Sequence, residues 1–124
     1  MLNHVGLCST SEKNSDRFFV GILGLKKQRD FCVSRELTEE IFGISREHKV
    51  IVYAGKNLNF EVFITDKVNP DKIDHVCLNL KNIDQLFLKC EKEGLAVKKI
   101  SRGDRFIYFL QDFDGNLYEI KEKL

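Results

Sequence analysis

The chain has 124 residues, the length of one ordinary globular domain with a core of its own. Hydrophobic residues make up 43% and charged residues 31%, a balance that excludes intrinsic disorder. With 20 basic and 19 acidic residues the formal net charge is +1, so no strong net field recruits nucleic acid or an anionic membrane, and we expect neither partner.

The first residues, MLNHVGLCST, contain neither the basic leader nor the apolar run of a secretory signal. No apolar stretch approaches the ~20 residues of a membrane span, so we expect a cytoplasmic protein. The four cysteines form no CxxC pair, and we interpret them as reduced thiols that serve mainly as small buried hydrophobic residues. They are Cys8, Cys32, Cys77 and Cys90.

The first half of the chain predicts a strand, a helix and three more strands. The helix, over residues 11–23, begins with capping-type residues, carries apolar residues at helical spacing and ends at Gly24. Residues 35–47 form an insertion in which a helical turn is one interpretation. Lys56-Asn57 predicts a hairpin turn. The β-rich segments that we interpret as strands are residues 2–9, 26–34, 48–55 and 58–65.

The second half predicts the same order of elements without the insertion. Its helix, over residues 83–93, repeats the spacing of the first helix and ends at Gly94. A short polar connection, residues 68–71, precedes this half, and Asp114-Gly115 predicts its last hairpin turn. The predicted strands are residues 73–80, 96–101, 105–111 and 116–121.

Three pairs of segments show that the two halves are a repeat. LNHVGL matches IDHVCL, LGLKK matches EGLAVKK, and NFEVFI matches LYEIKE. These matches place His4 over His75, 71 residues apart, and Glu61 over Glu119, 58 residues apart; the insertion at 35–47 accounts for the smaller offset. We therefore predict an α+β fold of two βαβββ modules, residues 1–67 and 72–124, packed as a single domain over 1–124.

The repeat contains two histidines and two glutamates at matched positions. Alternate residues of a strand share one face, and each glutamate stands between apolar neighbours that point the other way. If pseudo-symmetry relates the modules, His4, Glu61, His75 and Glu119 converge on one point. Two imidazoles and two carboxylates suit one divalent ion: Zn, Ni, Co, Mn or Fe. A lone strand histidine is usually structural; the matched pairs favour the metal site.

His48 lies outside the repeat, between Glu47 and Lys49. We interpret it as a surface residue. Four basic residues of the second half, which could meet a phosphate group, are interpreted as solvated: Lys98, Lys99, Arg102 and Arg105.

Four motifs resemble the vicinal oxygen chelate superfamily, which includes glyoxalase I, methylmalonyl-CoA epimerase, fosfomycin-resistance proteins, bleomycin-resistance proteins and extradiol dioxygenases. They are the openings NHVGL and DHVCL, the helix RFFVGILGL and the ending DFDGNLYEIKE, in which Phe113 replaces the usual proline. The resemblance covers nearly the whole chain and implies a half-open barrel of two modules. The metal-ligand positions of the superfamily correspond to His4, Glu61, His75 and Glu119. This set is most similar to that of glyoxalase I. The epimerase is second in similarity, because glutamine usually stands there in place of Glu61.

The resemblance implies a metal-dependent lyase or isomerase whose small-molecule substrate chelates the ion through two oxygens. Glu119 is the expected proton-transfer base, and Glu61 could share that role. The alternative is a non-catalytic binding protein of the bleomycin-resistance type, with aromatic walls from Phe60, Phe63, Tyr108 and Phe109. The fourth ligand, Glu61, counts against a thiol transferase or a ring-cleaving oxygenase. A half-open sheet with uncovered edges also predicts a homodimer.

Overall fold

Each half of the chain builds one four-stranded mixed sheet. The computed structural model describes residues 3–66 and 75–123, and the chain divides into two units, Met1–Lys67 and Val68–Leu124. The predicted connection 68–71 and the first residues of two predicted strands, 2 and 73–74, lie outside the described residues.

The first unit contains β1 (His4–Ser9), α1 (Glu12–Asp16) with a π-helical continuation (Arg17–Ile22), β2 (Lys26–Val33), α2 (Arg35–Phe42), β3 (His48–Ala54) and β4 (Asn59–Ile64). The second contains β5 (His75–Leu80), α3 (Ile83–Lys92), β6 (Val97–Arg102), β7 (Arg105–Gln111) and β8 (Leu117–Glu122). The predicted βαβββ order is confirmed in both, with α2 as an addition to the first.

The two sheets have the same topology. Their strand orders are β1-β4-β3-β2 and β5-β8-β7-β6. The first and last strands of each unit pair in parallel, and the other neighbours are antiparallel. The first strand of each module, which carries the histidine, therefore lies beside the last, which carries the glutamate.

The helix of the first unit packs on one face of its sheet. The ring of Phe19 stacks on Tyr53 at 5.0 Å between centroids and lies 5.2 Å from Phe60. Ser11 caps the helix by accepting a hydrogen bond from the backbone N–H of Asn14. The predicted helix over 11–23 is confirmed, and in its second half the bonding shifts to the wider π-helical pattern.

In the second unit α3 buries Ile83, Leu86 and Cys90, residues at helical spacing, while Phe87 is half-buried against Tyr108. The buried side chains of its last two strands are Leu110, Tyr118 and Ile120. In the first unit the matching strands carry the core on the same face. In each module the opposite face of the sheet is therefore left for other contacts.

The insertion contains a helix, in agreement with the interpretation of a helical turn there. Ser34 caps α2 by accepting a hydrogen bond from the N–H of Leu37, and Gly43 ends the helix with a left-handed φ of 72°. Thr38 is buried, whereas Ile41 and Phe42 are 58% and 52% exposed. Among the residues that the structure describes, no helix is long and apolar enough to cross a membrane.

Candidate metal centre

In the first unit, His4 and Glu61 lie side by side on the sheet face opposite the packed helix. Nδ1 of His4 is 3.2 Å from Oε2 of Glu61, and the side chains are 42% and 23% exposed. The same nitrogen lies 3.0 Å from Oδ1 of Asn3. A histidine and a half-buried carboxylate are thus brought together within this unit.

The second unit holds His75 and Glu119 in the same way. Nε2 of His75 is 3.7 Å from Oε1 of Glu119, and the side chains are 38% and 20% exposed. The ring of Phe109 contacts the His75 ring edge-on, at 5.6 Å between centroids. This ring contact restricts the orientation of the imidazole beside the carboxylate.

The strand register relates the two pairs. Glu61 is opposite Gly6 on the parallel strand β1, and Glu119 is opposite Cys77 on β5. In each module the histidine lies two residues before that partner, so histidine and glutamate are diagonal neighbours on one face. The repeat in the sequence is therefore a repeat in the placement of the four side chains within their units.

The spacing within the first pair fits two ligands of one metal ion. Two ligands at about 2.0–2.2 Å from one ion, in adjacent octahedral or tetrahedral positions, are roughly 3.0–3.5 Å apart. The first pair lies at 3.2 Å and the second, at 3.7 Å, is slightly wider. Within either unit, the described residues contain no group of three or more His, Cys, Asp or Glu that could hold a metal ion. Each pair supplies two possible ligands within its own unit.

The surroundings of the two glutamates differ. The Cys77 thiol donates a weak hydrogen bond to Oε2 of Glu119 at 3.6 Å, and Nζ of Lys121 lies 3.7 Å from that oxygen. Burial and the charge of Glu119 raise the pKa of the Cys77 thiol, which keeps it protonated. The matching positions beside Glu61 are Gly6 and Phe63. At these two matched positions Glu119 has polar neighbours, whereas the neighbours of Glu61 are a glycine and a phenylalanine.

A cavity of about 480 Å³ opens beside the first pair, with His4 and Glu61 in its wall. His48 also lines it and is only 7% exposed. The prediction that His48 is a surface residue is wrong, because alternate strand residues face opposite ways: Lys49 points out to Glu12, whereas His48 points under α2.

Two further expectations are corrected. Cys8, Cys32 and Cys77 are exposed and only Cys90 is buried, although all four are thiols outside any disulfide. Phe60 belongs to the core rather than to a ligand wall, whereas Phe63 does line the cavity. The four basic residues interpreted as solvated are indeed exposed: Lys98, Lys99, Arg102 and Arg105.

The DFDGN motif forms a buried polar turn before β8. The Asp112 carboxylate accepts four hydrogen bonds at 2.8–3.0 Å, from the backbone N–H groups of Asp114 and Asn116, the Asn116 amide and the Tyr118 hydroxyl. Burial raises the pKa of Asp112, and these bonds oppose that rise. The turn fixes the start of the strand that carries Glu119.

Comparisons with known proteins agree with this architecture. No protein-family model matches the sequence, and no curated protein matches it. Among solved structures, the chain is similar to the genomically encoded fosfomycin resistance protein FosX from Listeria monocytogenes, with a TM-score of 0.76, 14% identity and coverage of 100% of this chain and 93% of that one.

Two glyoxalase family proteins are similar as well. For the one from Enterococcus faecalis the TM-score is 0.71 at 17% identity, with 97% and 95% of the two chains covered. For the putative one from Bacillus anthracis it is 0.70 at 18% identity, with 100% and 95% covered. At these identities the likeness establishes the fold, which is that of the vicinal oxygen chelate superfamily. The resemblance stated from the motifs is confirmed at that level.

Proposed function

We propose that the protein is a metal-dependent lyase or isomerase of the glyoxalase type, with one divalent ion held by His4, Glu61, His75 and Glu119. The observation that carries the proposal is the identical register of the two histidine–glutamate pairs. Zn, Ni, Co, Mn and Fe all accept such ligands. Mn(II) was present with 1S,2S-dihydroxypropylphosphonic acid in a structure of a Listeria FosX variant, similar to this chain at a TM-score of 0.73.

When bound, the ion would hold two neighbouring substrate oxygens and act as a Lewis acid. Glu119 takes the proton from the carbon next to the substrate carbonyl through a carboxylate oxygen. The nearby ammonium of Lys121 modestly stabilises the negative charge of the carboxylate, since exposed pairs of this kind contribute little. Of the two carboxylate oxygens, Oε2 accepts the hydrogen bond from the Cys77 thiol, whereas Oε1 faces Nε2 of His75.

Glu61 serves mainly as a ligand in this proposal. Its Oε2 faces Nδ1 of His4, and the neighbours Gly6 and Phe63 offer neither a proton nor a charge. It could share the acid–base role once a substrate is bound, because the two glutamates are chemically alike.

The test is an exchange assay with two substrate classes, hemithioacetals and 2-methyl acyl-CoA thioesters. Protein loaded with each of the five metals is incubated in D₂O, and loss of the proton next to the carbonyl is followed by NMR. We expect exchange above the protein-free rate with at least one metal, and its loss on chelation. Exchange that survives complete metal removal would overturn the proposal.

A second candidate, a non-catalytic binding protein, is favoured by the apolar cavity of the first unit. Such a protein needs no metal to bind its ligand. Tight binding by metal-free protein, with no exchange in any metal form, would favour it over the enzyme.

The remaining expectations concern partners and location. We expect a small-molecule substrate and no nucleic acid or membrane partner, given a net charge of +1. Four cysteines that form no disulfide suit a reducing compartment such as the cytoplasm.

A further inference from the structure

The cavity of the first unit lies on the same sheet face as His4 and Glu61 and is covered by the inserted helix. The helix and the residues after it contribute Leu37, Ile41, Phe42 and Ile44, each about half exposed at the rim. A volume of about 480 Å³ falls within the range of small-molecule sites. The helix therefore supplies an apolar wall next to one half of the proposed metal centre.

The lining of this cavity carries no lysine or arginine among the described residues, and Glu61 is its one carboxylate. Phe31, Val33 and Phe63 form its floor. A phosphonate, a phosphate or a peptide carboxylate placed here would lose its hydration without gaining a cation. The cavity suits an uncharged, apolar group.

His48 closes the far end of the cavity. Its Nδ1 lies 2.9 Å from the backbone oxygen of Arg46, which only accepts hydrogen bonds, so Nδ1 donates and, in the neutral imidazole, Nε2 is an acceptor. Within residues 3–66 and 75–123 no hydrogen bond to Nε2 is found, and the residue as a whole is 7% exposed. A ligand in the cavity that His48 lines can donate a hydrogen bond to this nitrogen.

The strand register sets the distance between the two ends. Val52 is opposite Glu61, and His48 lies four residues from Val52 along β3, or roughly 13 Å at 3.3 Å per residue. A ligand that spans this length has one end at the proposed metal centre and the other at Nε2.

We propose that this cavity determines substrate specificity, and that the substrate carries an uncharged apolar chain or ring system ending in a hydrogen-bond donor for His48. The proposal rests on the proposed function, since it assigns the chelating oxygens to the metal centre. It makes His48 a binding residue for the far end of the substrate.

Hydroxamic acids chelate metals through two oxygens and are suitable probes. Binding of acetohydroxamic, octanohydroxamic and 8-hydroxyoctanohydroxamic acids to Co²⁺-loaded protein is followed by the Co²⁺ absorption spectrum. We expect both long probes to bind at least ~10-fold more tightly than the short one, because their chains are buried. Equal affinity of all three would overturn the proposal and leave the metal centre standing.

Two variants test which residues are responsible for the tighter binding of the long probes. Ile41→Asp, at an exposed position, is expected to weaken both long probes about 10-fold and the short one little, since it places a charge in the apolar wall. The matched control, Leu88→Asp, alters a leucine that is 59% exposed on α3. His48→Phe should weaken the 8-hydroxy probe about 10-fold relative to octanohydroxamic acid, because the hydroxyl is then buried without a partner.

Octane-1,8-diol, which has no chelating group, tests the cavity in metal-free protein by calorimetry. Protein that binds no Co²⁺ but binds the diol, more weakly after Ile41→Asp, would refute the proposed metal centre and retain the cavity. If Ile41→Asp instead leaves every affinity unchanged and alters only the sedimentation coefficient, the apolar wall is a contact between copies of the chain and the proposal is wrong.

Discussion

Nζ of Lys121 lies 3.7 Å from Oε2 of Glu119, whereas the residue in the same place beside Glu61 is Phe63. The two modules therefore repeat their histidine and glutamate but not the neighbours of the glutamate. This difference in surroundings supports different roles for Glu61 and Glu119, although the repeat places them at matched positions.

Replacing each glutamate with glutamine separates binding from proton transfer. Glu119→Gln keeps an oxygen donor and nearly the same volume but cannot accept a proton, so we expect retained metal and a loss of turnover of at least ~10²-fold. Glu61→Gln should be milder. Both are assayed at saturating metal, with bound metal counted. An inactive Glu61→Gln together with an active Glu119→Gln would reverse the assignment of the base.

The polar turn before β8 should be a major source of stability. Asp112→Ala leaves four donors without their acceptor, two of them side chains that are almost fully buried, so we expect a loss of at least about 3 kcal/mol. The control, Asp104→Ala, lies in the exposed turn between β6 and β7 and should change stability little. Urea unfolding of both variants measures the difference; similar midpoints would contradict the structural role of the motif.

The residues Lys27 and Lys49 bind the Glu12 carboxylate and lower its pKa from 4.5 to about 2. Because the folded pKa is depressed, Glu12 stabilises the fold above its ordinary pKa, and this contribution disappears as the pH falls towards 2. Glu12→Gln should therefore lower the urea midpoint near pH 6 and have little effect near pH 2. Glu91→Gln, at an exposed position on α3, is the control. If the difference in urea midpoint between Glu12→Gln and wild type did not change with pH, the proposed ion pairs would be contradicted.

The sequence predicted the order and approximate bounds of the strands because their alternation and the turn residues agree across two copies. From the same repeat it predicted that His4, Glu61, His75 and Glu119 converge, and the structure brings them together in two pairs, one within each unit. It missed His48, whose charged neighbours indicate a surface position, because only the folded insertion covers that strand face. The π-helical bonding of Arg17–Ile22 was missed too, since apolar spacing does not fix which carbonyl each N–H binds.

We expect the protein to form a homodimer. Each sheet, taken by itself, has two edge strands, β1 and β2 in the first unit and β5 and β6 in the second, and unpaired strand edges are commonly covered by association. Sedimentation velocity at micromolar concentration measures the mass directly. A single species of 14.4 kDa would show that the chain remains a monomer.

Metal titration tests the proposed four-ligand centre most directly. Chelator-treated wild type and the variants His4→Ala and His75→Ala are titrated with Ni²⁺, Co²⁺ and Zn²⁺ by calorimetry, with Leu88→Asp as a control that leaves the ligands intact. We predict one ion per chain in wild type and control, and affinity lower by at least ~10-fold in both histidine variants, one from each module. Equal affinity in wild type and His75→Ala would contradict the shared metal centre.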